Sequence, residues 1–277
     1  MSLIITTNVA SINAQRTLSQ SNRALTKSYA QLSSGSRITK AADDAAGLSM
    51  SEGFKATIRG YKQAQRNAND GISMIQVAEG GIAEISNILT RIRELGVQAA
   101  SDTIGDIERG FVDREVQQLK LEVQRIAEST RYNGRDLLTG EGEEYSFQVD
   151  VNNDDFRDRI AFDSSESVAT LDHLELGSLE FASRDGAREA LSTIDSAQKT
   201  VNGYRANLGA LQNRLISTGE NLSSAIENFS AANARIRDTD IAESSAELAR
   251  NNVLSQASVS MLAQANQQPN MALRLIS

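Results

Sequence analysis

The chain of 277 residues contains no cysteine and no tryptophan, a single histidine, His173, and a single proline, Pro269. The absence of cysteine excludes a disulfide framework, a thiol nucleophile and a cysteine-ligated zinc site. One histidine is too few for most metal sites and catalytic triads, so no catalytic and no metal-binding residue is predicted. Because proline breaks helices, a sequence that nearly lacks it favours a mainly α-helical fold.

Charged residues are distributed unevenly along the chain. The formal net charge of −8 argues against nucleic acid as a partner. Residues 1–40 contain five basic residues and no acid, whereas residues 141–180 contain twelve acids against two arginines. We interpret the acidic block as a solvated surface, with cation binding as the alternative. In "DVNNDDFRDRIA" Asp155 stands where a calcium loop requires glycine, and Ala161 where it requires glutamate, which disfavours that alternative.

Targeting and cofactor motifs are absent as well. The first apolar run covers only Leu3 to Ile5, which is too short for a secretory signal, and no stretch is long enough to span a membrane. The sequence therefore predicts no membrane insertion. It predicts a cytosolic protein or one exported by a route that reads no cleaved signal peptide. No phosphate-binding glycine loop occurs, and no cofactor is predicted.

Apolar residues recur at alternating steps of three and four in three stretches, which is the 3.5-residue repeat of coiled coils. The longest repeat runs from 190 to 236, and two shorter ones cover 75–99 and 112–126. The segment "SDTIGDIERG" contains turn-forming residues and an aspartate that could cap a helix, so the two shorter helices are expected to form a hairpin. Gly80 and Gly81 inside the first of them predict the close approach of a neighbour.

The middle and the two ends of the chain differ from these helices. "YSFQVDV" alternates apolar and polar residues, and with "RIAFD" it predicts a small β-hairpin region near 140–180. The terminal segments have only narrow apolar strips, so they are expected to pair with each other and with copies of themselves. The predicted polymerisation seam consists of Leu18, Leu25, Leu32, Ile241, Leu248 and Leu262.

The adjacent carboxylates in "LSSGSRITKAADDAAGLS" raise the question of an acid/base or metal site. Ser33 to Ser36 offer turn chemistry that ends the first helix. Asp43 and Asp44 can cap or charge-stabilise the start of a short helix whose small residues allow tight packing. The sequence favours a structural function for both aspartates.

Several of these stretches closely resemble bacterial flagellin: "LSSGSRITKAADDAAGLSMSEG", "NANDGISMIQVAEGGIAEI", "TRIRELGVQAAS", "RYNGRDLLTG" and "ENFSAANARIRDTDIAESSAELAR". The resemblance covers nearly the whole chain in the family's order, in a short form without the large variable outer domains. It implies a non-enzymatic structural subunit that self-assembles into the helical filament used for swimming. A hook–filament junction protein and a soluble coiled-coil adaptor are the alternatives.

The resemblance also implies a domain plan. Residues 1–40 and 240–277 would form a terminal-helix inner domain, 41–56 a connector, and 57–239 an outer helical bundle with the hairpin region. The predicted fold is thus mainly α, an elongated coiled-coil-like bundle with a small β-hairpin region and paired terminal helices in an inner layer.

The resemblance finally implies partners and an extracellular location in the flagellar filament. Partners would be further copies of the chain, the flagellar type III export apparatus, an export chaperone, and the filament cap and junction proteins. A host Toll-like receptor would contact Arg91, Leu95, Gln98 and Glu115, which match the family's recognised motif position by position. Leu119 stands where some recognised members have arginine.

Overall fold

The structure, a computed structural model, describes residues 7–141 and 144–276, with side chains described as far as residue 267. Within these residues the chain is mainly helical, as predicted. The helices are α1 (Val9–Ser34), α2 (Ala45–Ala99), α3 (Asp106–Ser129), α4 (Arg184–Arg237) and α5 (Ile241–Ile276). Four short strands, β1 (Arg131–Tyr132), β2 (Arg135–Asp136), β3 (Glu144–Gln148) and β4 (Arg159–Asp163), lie between α3 and α4.

The chain divides into two compact units. Unit 1 consists of Met1–Ala56 and Asn228–Ser277, and unit 2 of Thr57–Glu227. Helices α2 and α4 each contribute residues to both units. The plan of an inner domain, a connector and an outer bundle stays a prediction, and residues 1–6 of that inner domain lie outside the described residues.

The core of unit 2 is built from the heptad repeats. All seven repeat residues of α2 are fully buried: Ile75, Ala78, Ile82, Ile85, Leu89, Ile92 and Ala99. In α4 the repeat buries Ala190, Ile194, Ala197, Val201, Leu208 and Leu215. Burial of each leucine or isoleucine contributes about 1.5–3 kcal/mol. The repeat therefore correctly identified the buried faces of α2 and of α4 as far as Leu222, although Tyr204 and Leu211 are only half-buried. The predicted repeat positions of α4 from 225 to 236 are half-buried as well.

Helix α3 departs from its predicted repeat toward its C-terminal half. Leu119 and Ile126 are only half-buried, while Lys120 and Ala127 are buried in their place. A straight helix has 3.6 residues per turn and drifts away from a 3.5-residue pattern, which shifts the buried face by one residue. Lys120 tolerates burial because its ammonium donates to the carbonyl of Gly177 (2.8 Å), while its aliphatic stem stays among apolar groups.

The predicted β-hairpin is present. Strands β3 and β4 pair antiparallel, and Tyr145 lies opposite Phe162 with ring centroids 6.0 Å apart. A second, smaller hairpin of β1 and β2 was not predicted. Its turn residues, Asn133 and Gly134, both have positive φ (51° and 78°), the conformation that Asn-Gly adopts in two-residue hairpins.

Of the two glycines predicted to lie against a neighbouring segment, only Gly81 does so. A Cβ atom at Gly81 would lie 2.5 Å from Thr130 Oγ1 and 3.0 Å from Leu138 Cδ1. A Cβ atom at Gly80 would meet nothing within 4 Å. The segment that follows α3 therefore packs directly on the backbone of α2 at Gly81.

This difference predicts opposite effects for two adjacent substitutions. Gly81→Ala is expected to destabilise the chain by about 1–3 kcal/mol, because the added methyl group overpacks the contact with Thr130 and Leu138. Gly80→Ala is expected to be neutral or to stabilise by up to about 1 kcal/mol through helix propensity. Urea denaturation of both variants measures the difference, and equal stability would contradict the packing at Gly81.

Candidate assembly interface

Helices α1 and α5 of unit 1 pack against each other, as predicted for the terminal segments. Near one end of the pair, the Asn8 side-chain amide donates to the carbonyl of Ala265 (2.8 Å). Further along, Ser255 Oγ donates to Asn22 Oδ1 (3.2 Å). The partner numbers fall along α5 as they rise along α1, so the two helices are antiparallel.

Small polar side chains occupy the line of closest packing between these helices. The side chains buried in α1 are Ser11, Ser21 and Ser28, and those in the part of α5 whose side chains are described, up to residue 267, are Ser244, Ser258 and Ala265. Short side chains allow the two backbones to come close, but they remove little apolar surface from water. Hydrogen bonds such as that from Ser11 Oγ to Asn266 Oδ1 (2.9 Å) therefore define this contact.

The predicted seam residues flank this line. Leu18, Leu25, Leu32, Leu248 and Leu262 are half-buried, and Ile241 is 68% exposed. Other large apolar side chains of α1 and α5 are exposed as well: Val9, Ile12, Tyr29, Val253, Leu254, Val259 and Met261. Unit 1 therefore carries an extensive apolar surface on its two terminal helices.

The contrast in burial between the units is large. Among the described residues, the buried apolar side chains of unit 1 are Ile38 and Ala265 alone. The core described above lies entirely within unit 2. A helix pair with so little apolar burial is marginal by itself, because ordering each residue costs about 1–2 kcal/mol of conformational entropy.

The chain segments that join the helices of unit 1 are held by polar contacts. Helix α1 ends at Gly35, whose φ of 67° suits glycine, and Ser36 then pairs with Asp238 in an antiparallel bridge. The amide of Arg37 donates to the carbonyl of Arg237 (2.6 Å), and its guanidinium donates to the carbonyl of Ile236 (2.8 Å). Arg37 thus satisfies carbonyls at the C-terminal end of α4.

The two adjacent aspartates have distinct structural functions. Asp44 Oδ1 accepts from the amide of Gly47 (2.8 Å) and so caps α2. The predicted short helix is wrong, because α2 continues from there for 55 residues. Asp43 Oδ2 accepts from the amides of Thr39 (3.2 Å) and Lys40 (3.0 Å) and from the Thr39 hydroxyl (3.0 Å). Its other oxygen lies 3.2 Å from Lys27 Nζ.

These contacts favour the charged form of Asp43. The Lys40 amide contributes most, followed by the Thr39 hydroxyl and the Lys27 ammonium, and together they lower the pKa of Asp43 from 3.8 to about 2. By accepting these hydrogen bonds, the Asp43 carboxylate closes the loop of residues 39–43. Its Oδ2 accepts from donors of the same loop, and its Oδ1 faces Lys27 of α1.

The residues proposed for receptor contact lie on α2 and α3 of unit 2. Arg91 Nη2 lies 2.9 Å from Glu115 Oε1, and Arg91 Nη1 lies 3.1 Å from Glu94 Oε2. Hydrogen bonding to Glu115 raises the pKa of Arg91. Arg91, Gln98 and Glu115 are exposed, whereas Leu95 is only 2% exposed and belongs to the core. The exposed part of this group is therefore polar, and direct contact of a receptor with Leu95, as predicted, does not agree with its burial.

Comparison of the sequence with known protein families gives two family matches and close relatives over the whole chain. The family model described as "Bacterial flagellin N-terminal helical region" matches residues 5–143, and the one described as "Bacterial flagellin C-terminal helical region" matches residues 191–276. A flagellin of Halalkalibacterium halodurans is 41% identical over 99% of this chain and all of its own length. A flagellar filament core protein of Brachyspira hyodysenteriae is 42% identical with the same coverage.

Solved structures share the fold. The crystal structure of Bacillus cereus flagellin is 30% identical, covers 61% of this chain and 94% of its own, and superposes with a TM-score of 0.51. A putative flagellar hook-associated protein from Vibrio parahaemolyticus covers 71% of this chain and 100% of its own, with a TM-score of 0.60. At 14% identity the latter shows the fold alone and gives the junction-protein alternative no support.

The hydrogen bonds of Asp43 predict a pH-dependent loop. A carboxyl whose folded-state pKa is depressed stabilises the fold above its ordinary pKa of 3.8 and loses this effect as the pH falls through about 2. At pH 5, Asp43→Asn is therefore expected to increase hydrogen exchange of the Thr39 and Lys40 amides. The difference from the unchanged chain should shrink progressively below pH 4 and be nearly gone at pH 2.

A matched variant separates the hydrogen bonds from the ion pair. Lys27→Met keeps all three hydrogen bonds to Asp43 Oδ2 and removes only the ammonium, whose side chain is 54% exposed. Its effect on the two amides should be smaller than that of Asp43→Asn, since exposed ion pairs contribute little. Equal exchange in Asp43→Asn and the unchanged chain at pH 5 would refute the loop closure.

Proposed function

The chain belongs to the bacterial flagellin family, and we propose that it enters the flagellar filament through unit 1. As a flagellin it is a structural protein of motility, a subunit of the filament that assembles from many copies of itself. The observation that carries the proposal is the apolar surface of α1 and α5, set against a unit whose described residues bury only Ile38 and Ala265 among apolar side chains.

In this proposal, neighbouring copies of the chain bury the apolar side chains that unit 1 leaves exposed. Covering exposed apolar surface gains about 25 cal/mol per Å², so several side chains the size of Ile241 and Met261 together outweigh the ordering cost of a helix turn. The same contact recurs at every subunit of a helical polymer. We therefore infer that α1 and α5 become fully ordered in the polymer, where Leu18, Leu25, Leu32, Ile241, Leu248 and Leu262 form the polymerisation seam.

The proposed arrangement follows the domain plan. Residues 1–40 and 240–277 form the inner domain, 41–56 the connector, and 57–239 the outer bundle with its β-hairpin region. The hydrogen bonds of Arg37 and Asp43 support a defined connector, because they fix the path of the chain where α1 ends and α2 begins.

The proposal also includes export from the cell and further protein partners. None of the described helices contains a stretch apolar and long enough to cross a membrane. We propose that the chain leaves the cell through the flagellar type III export apparatus without a cleaved signal peptide and reaches the extracellular filament. An export chaperone would cover exposed side chains of α5, such as Val253 and Val259, before assembly. The filament cap and junction proteins would contact the ends of the polymer.

Recognition by a host Toll-like receptor is a second proposed function. The supporting observation is the ion pair of Arg91 with Glu115, which presents two charged groups from adjacent helices as one exposed unit. Gln98 lies two helical turns beyond Arg91 on the same face of α2 and adds hydrogen-bonding capacity. Leu95, the fourth predicted contact residue, is only 2% exposed and belongs to the core, so it offers a receptor almost no surface in this conformation.

Substitution in the seam should abolish polymerisation and leave unit 2 folded. Leu25→Asp or Leu262→Asp places an unpaired carboxylate where neighbouring copies must cover apolar surface, at a cost of several kcal/mol per subunit. Electron microscopy after seeding measures filament formation, and urea denaturation reports on unit 2. Gln20→Asp, at an exposed position of α1, adds the same charge without removing an apolar group and is expected to assemble. Normal filaments from either leucine variant would show that the seam is misassigned.

Receptor recognition makes a separate prediction. Monomeric protein is expected to trigger receptor signalling in cultured host cells, and Arg91→Ala and Glu115→Ala should each weaken the response about tenfold or more, since charged anchors of interfaces commonly contribute over 1 kcal/mol. Arg125→Ala removes an exposed arginine of α3 that pairs within its own helix, with Glu122, and should leave signalling unchanged. A chain that gives no response at any dose refutes the proposal.

A further inference from the structure

A groove of about 450 Å³ lies on unit 2 between the β3–β4 loop and the middle of α4. Its lining contains three arginines, Arg157, Arg159 and Arg214, and no acid. Two of them, Arg157 and Arg159, are the only arginines of the acidic block of residues 141–180. A groove of this size is typical of ligand sites, and its lining is positive although the chain has a net charge of −8. The lining therefore favours an anionic ligand.

The β3–β4 loop has a defined conformation that its own aspartates maintain. Asp154 Oδ1 accepts from the amides of Phe156 (3.0 Å) and Arg157 (2.9 Å). The amide of Asp154 in turn donates to Oδ2 of Asp158 (2.8 Å), whose residue is 2% exposed. These acids are used within the loop. Phe156 and Arg157 are therefore presented by an ordered backbone, which lowers the entropy cost of binding a ligand.

Two guanidinium groups of the groove lack an anionic partner. Arg159 pairs with Asp155, whereas the side chains of Arg157 and Arg214 form no ion pair and no hydrogen bond within the part of the chain that the structure describes. Residues 206–219 of α4 contain no charged residue other than Arg214, so no acid of that helix lies within a turn of it. Both side chains are exposed. Their guanidinium groups are thus available to an external carboxylate.

The other groups of the groove suit a sugar ring. Phe156 is 90% exposed, and the negative face of its ring can stack against the C–H bonds of a sugar, which carry partial positive charge. Asn213, Ser217 and Thr218 line the opposite side and offer amide and hydroxyl groups to sugar hydroxyls. Because Arg157 follows Phe156 directly, a carboxylate bonded to the stacked ring lies close to a guanidinium group.

We propose that this groove binds a polysaccharide of uronic acid residues, in which each sugar ring carries a carboxylate. Arg157 and Arg214 each bind a carboxylate through charge-assisted hydrogen bonds, and Phe156 stacks on one of the rings. Binding is a property of unit 2 in the single chain and does not depend on assembly. At the extracellular location proposed above, such a site attaches the protein to acidic polysaccharides outside the cell.

Nucleic acid is the other polyanion whose rings stack on aromatic side chains. In a nucleotide the sugar separates the stacked base from the phosphate, and the base carries no hydroxyl groups. In a uronic acid residue the carboxylate and the hydroxyl groups belong to the ring that stacks. The adjacency of Phe156 and Arg157, with three neutral polar side chains across the groove, therefore favours the uronic acid polymer.

Calorimetric titration of the full-length monomer with short polygalacturonate chains at about 0.05 M salt tests the site. The unchanged chain is expected to bind. Methyl-esterified polygalacturonate, which has the same rings without the charges, should bind at least about tenfold more weakly. Arg157→Gln and Arg214→Gln should each weaken binding about tenfold, since each removes a charge-assisted contact. Arg125→Gln, at an exposed arginine of α3 that pairs with Glu122, should bind like the unchanged chain.

The aromatic contact has a separate readout. Phe156→Ala should weaken binding about fivefold, whereas Phe156→Tyr should keep the affinity, because it retains the stacking ring. Neither substitution should change the melting temperature of the monomer, because the side chain is 90% exposed. Leu121→Ala, which shortens an exposed apolar side chain on α3, should leave binding unchanged.

The salt dependence reports the number of charges that are contacted. Two guanidinium contacts predict that log K falls with log salt with a slope of about −1.4, as for a single-stranded polyanion. Raising the salt from about 0.05 M to about 0.2 M should therefore weaken binding about sevenfold. A much steeper dependence would show that other basic residues hold the polymer and would overturn the assignment to this groove.

The remaining outcomes are equally decisive. An unchanged chain that does not bind polygalacturonate, or arginine variants that bind it equally well, overturn the proposal. Dextran sulfate that binds as tightly through the same arginines contradicts the uronic acid assignment, and tighter binding of a single-stranded oligonucleotide assigns the groove to nucleic acid instead. Filament formation is measured separately by seeding, so a chain that assembles without binding polygalacturonate keeps the proposed function and loses only this inference.

Discussion

Apolar side chains are buried extensively in unit 2 and only slightly in unit 1, and most other properties of the chain follow from this difference. In unit 2 the repeats of α2 and α4 bury Ile, Leu, Val and Ala side chains almost completely, and the loops after α3 close over the same core. That unit contains the interactions that a stable domain needs by itself. Unit 1 holds its helices with serine contacts and main-chain hydrogen bonds, so its remaining apolar side chains are available to other copies.

A subunit that must exist both singly and in a polymer benefits from such a division. If α1 and α5 buried their apolar side chains against each other, they would have little left to gain from neighbours. Their antiparallel contact instead buries Ser11, Ser21 and Ser258 most completely and leaves the leucines only half-buried. Under the proposed function, assembly would gain the burial free energy that folding of the single chain leaves unused.

Polar side chains fix the path of the chain at several helix ends and turns. Arg37 satisfies carbonyls at the end of α4, Asp43 closes the loop before α2, and Arg109 locks the turn between α2 and α3. Lys120 reaches the carbonyl of Gly177 from inside the core, and burial lowers the pKa of its ammonium. In each case a side chain satisfies main-chain groups that a helix end or a turn leaves without partners.

The sequence by itself determined most of the helices, the β3–β4 hairpin, the pairing of the terminal segments and the family, because periodicity and turn chemistry are local properties that tertiary contacts here reinforce. It did not show that the helix beginning after Asp44 is continuous with the repeat helix of 75–99. It could not show that Leu95 is buried beneath Arg91 and Gln98, or that Lys120 replaces Leu119 in the core, since a drift of one position along a helix depends on the neighbouring helix. Only the tertiary structure decided that Gly81 is packed and Gly80 is free, and that Arg157 and Arg214 line one groove. Such distinctions depend on atoms far apart in the chain, and no pattern of nearby residues records them.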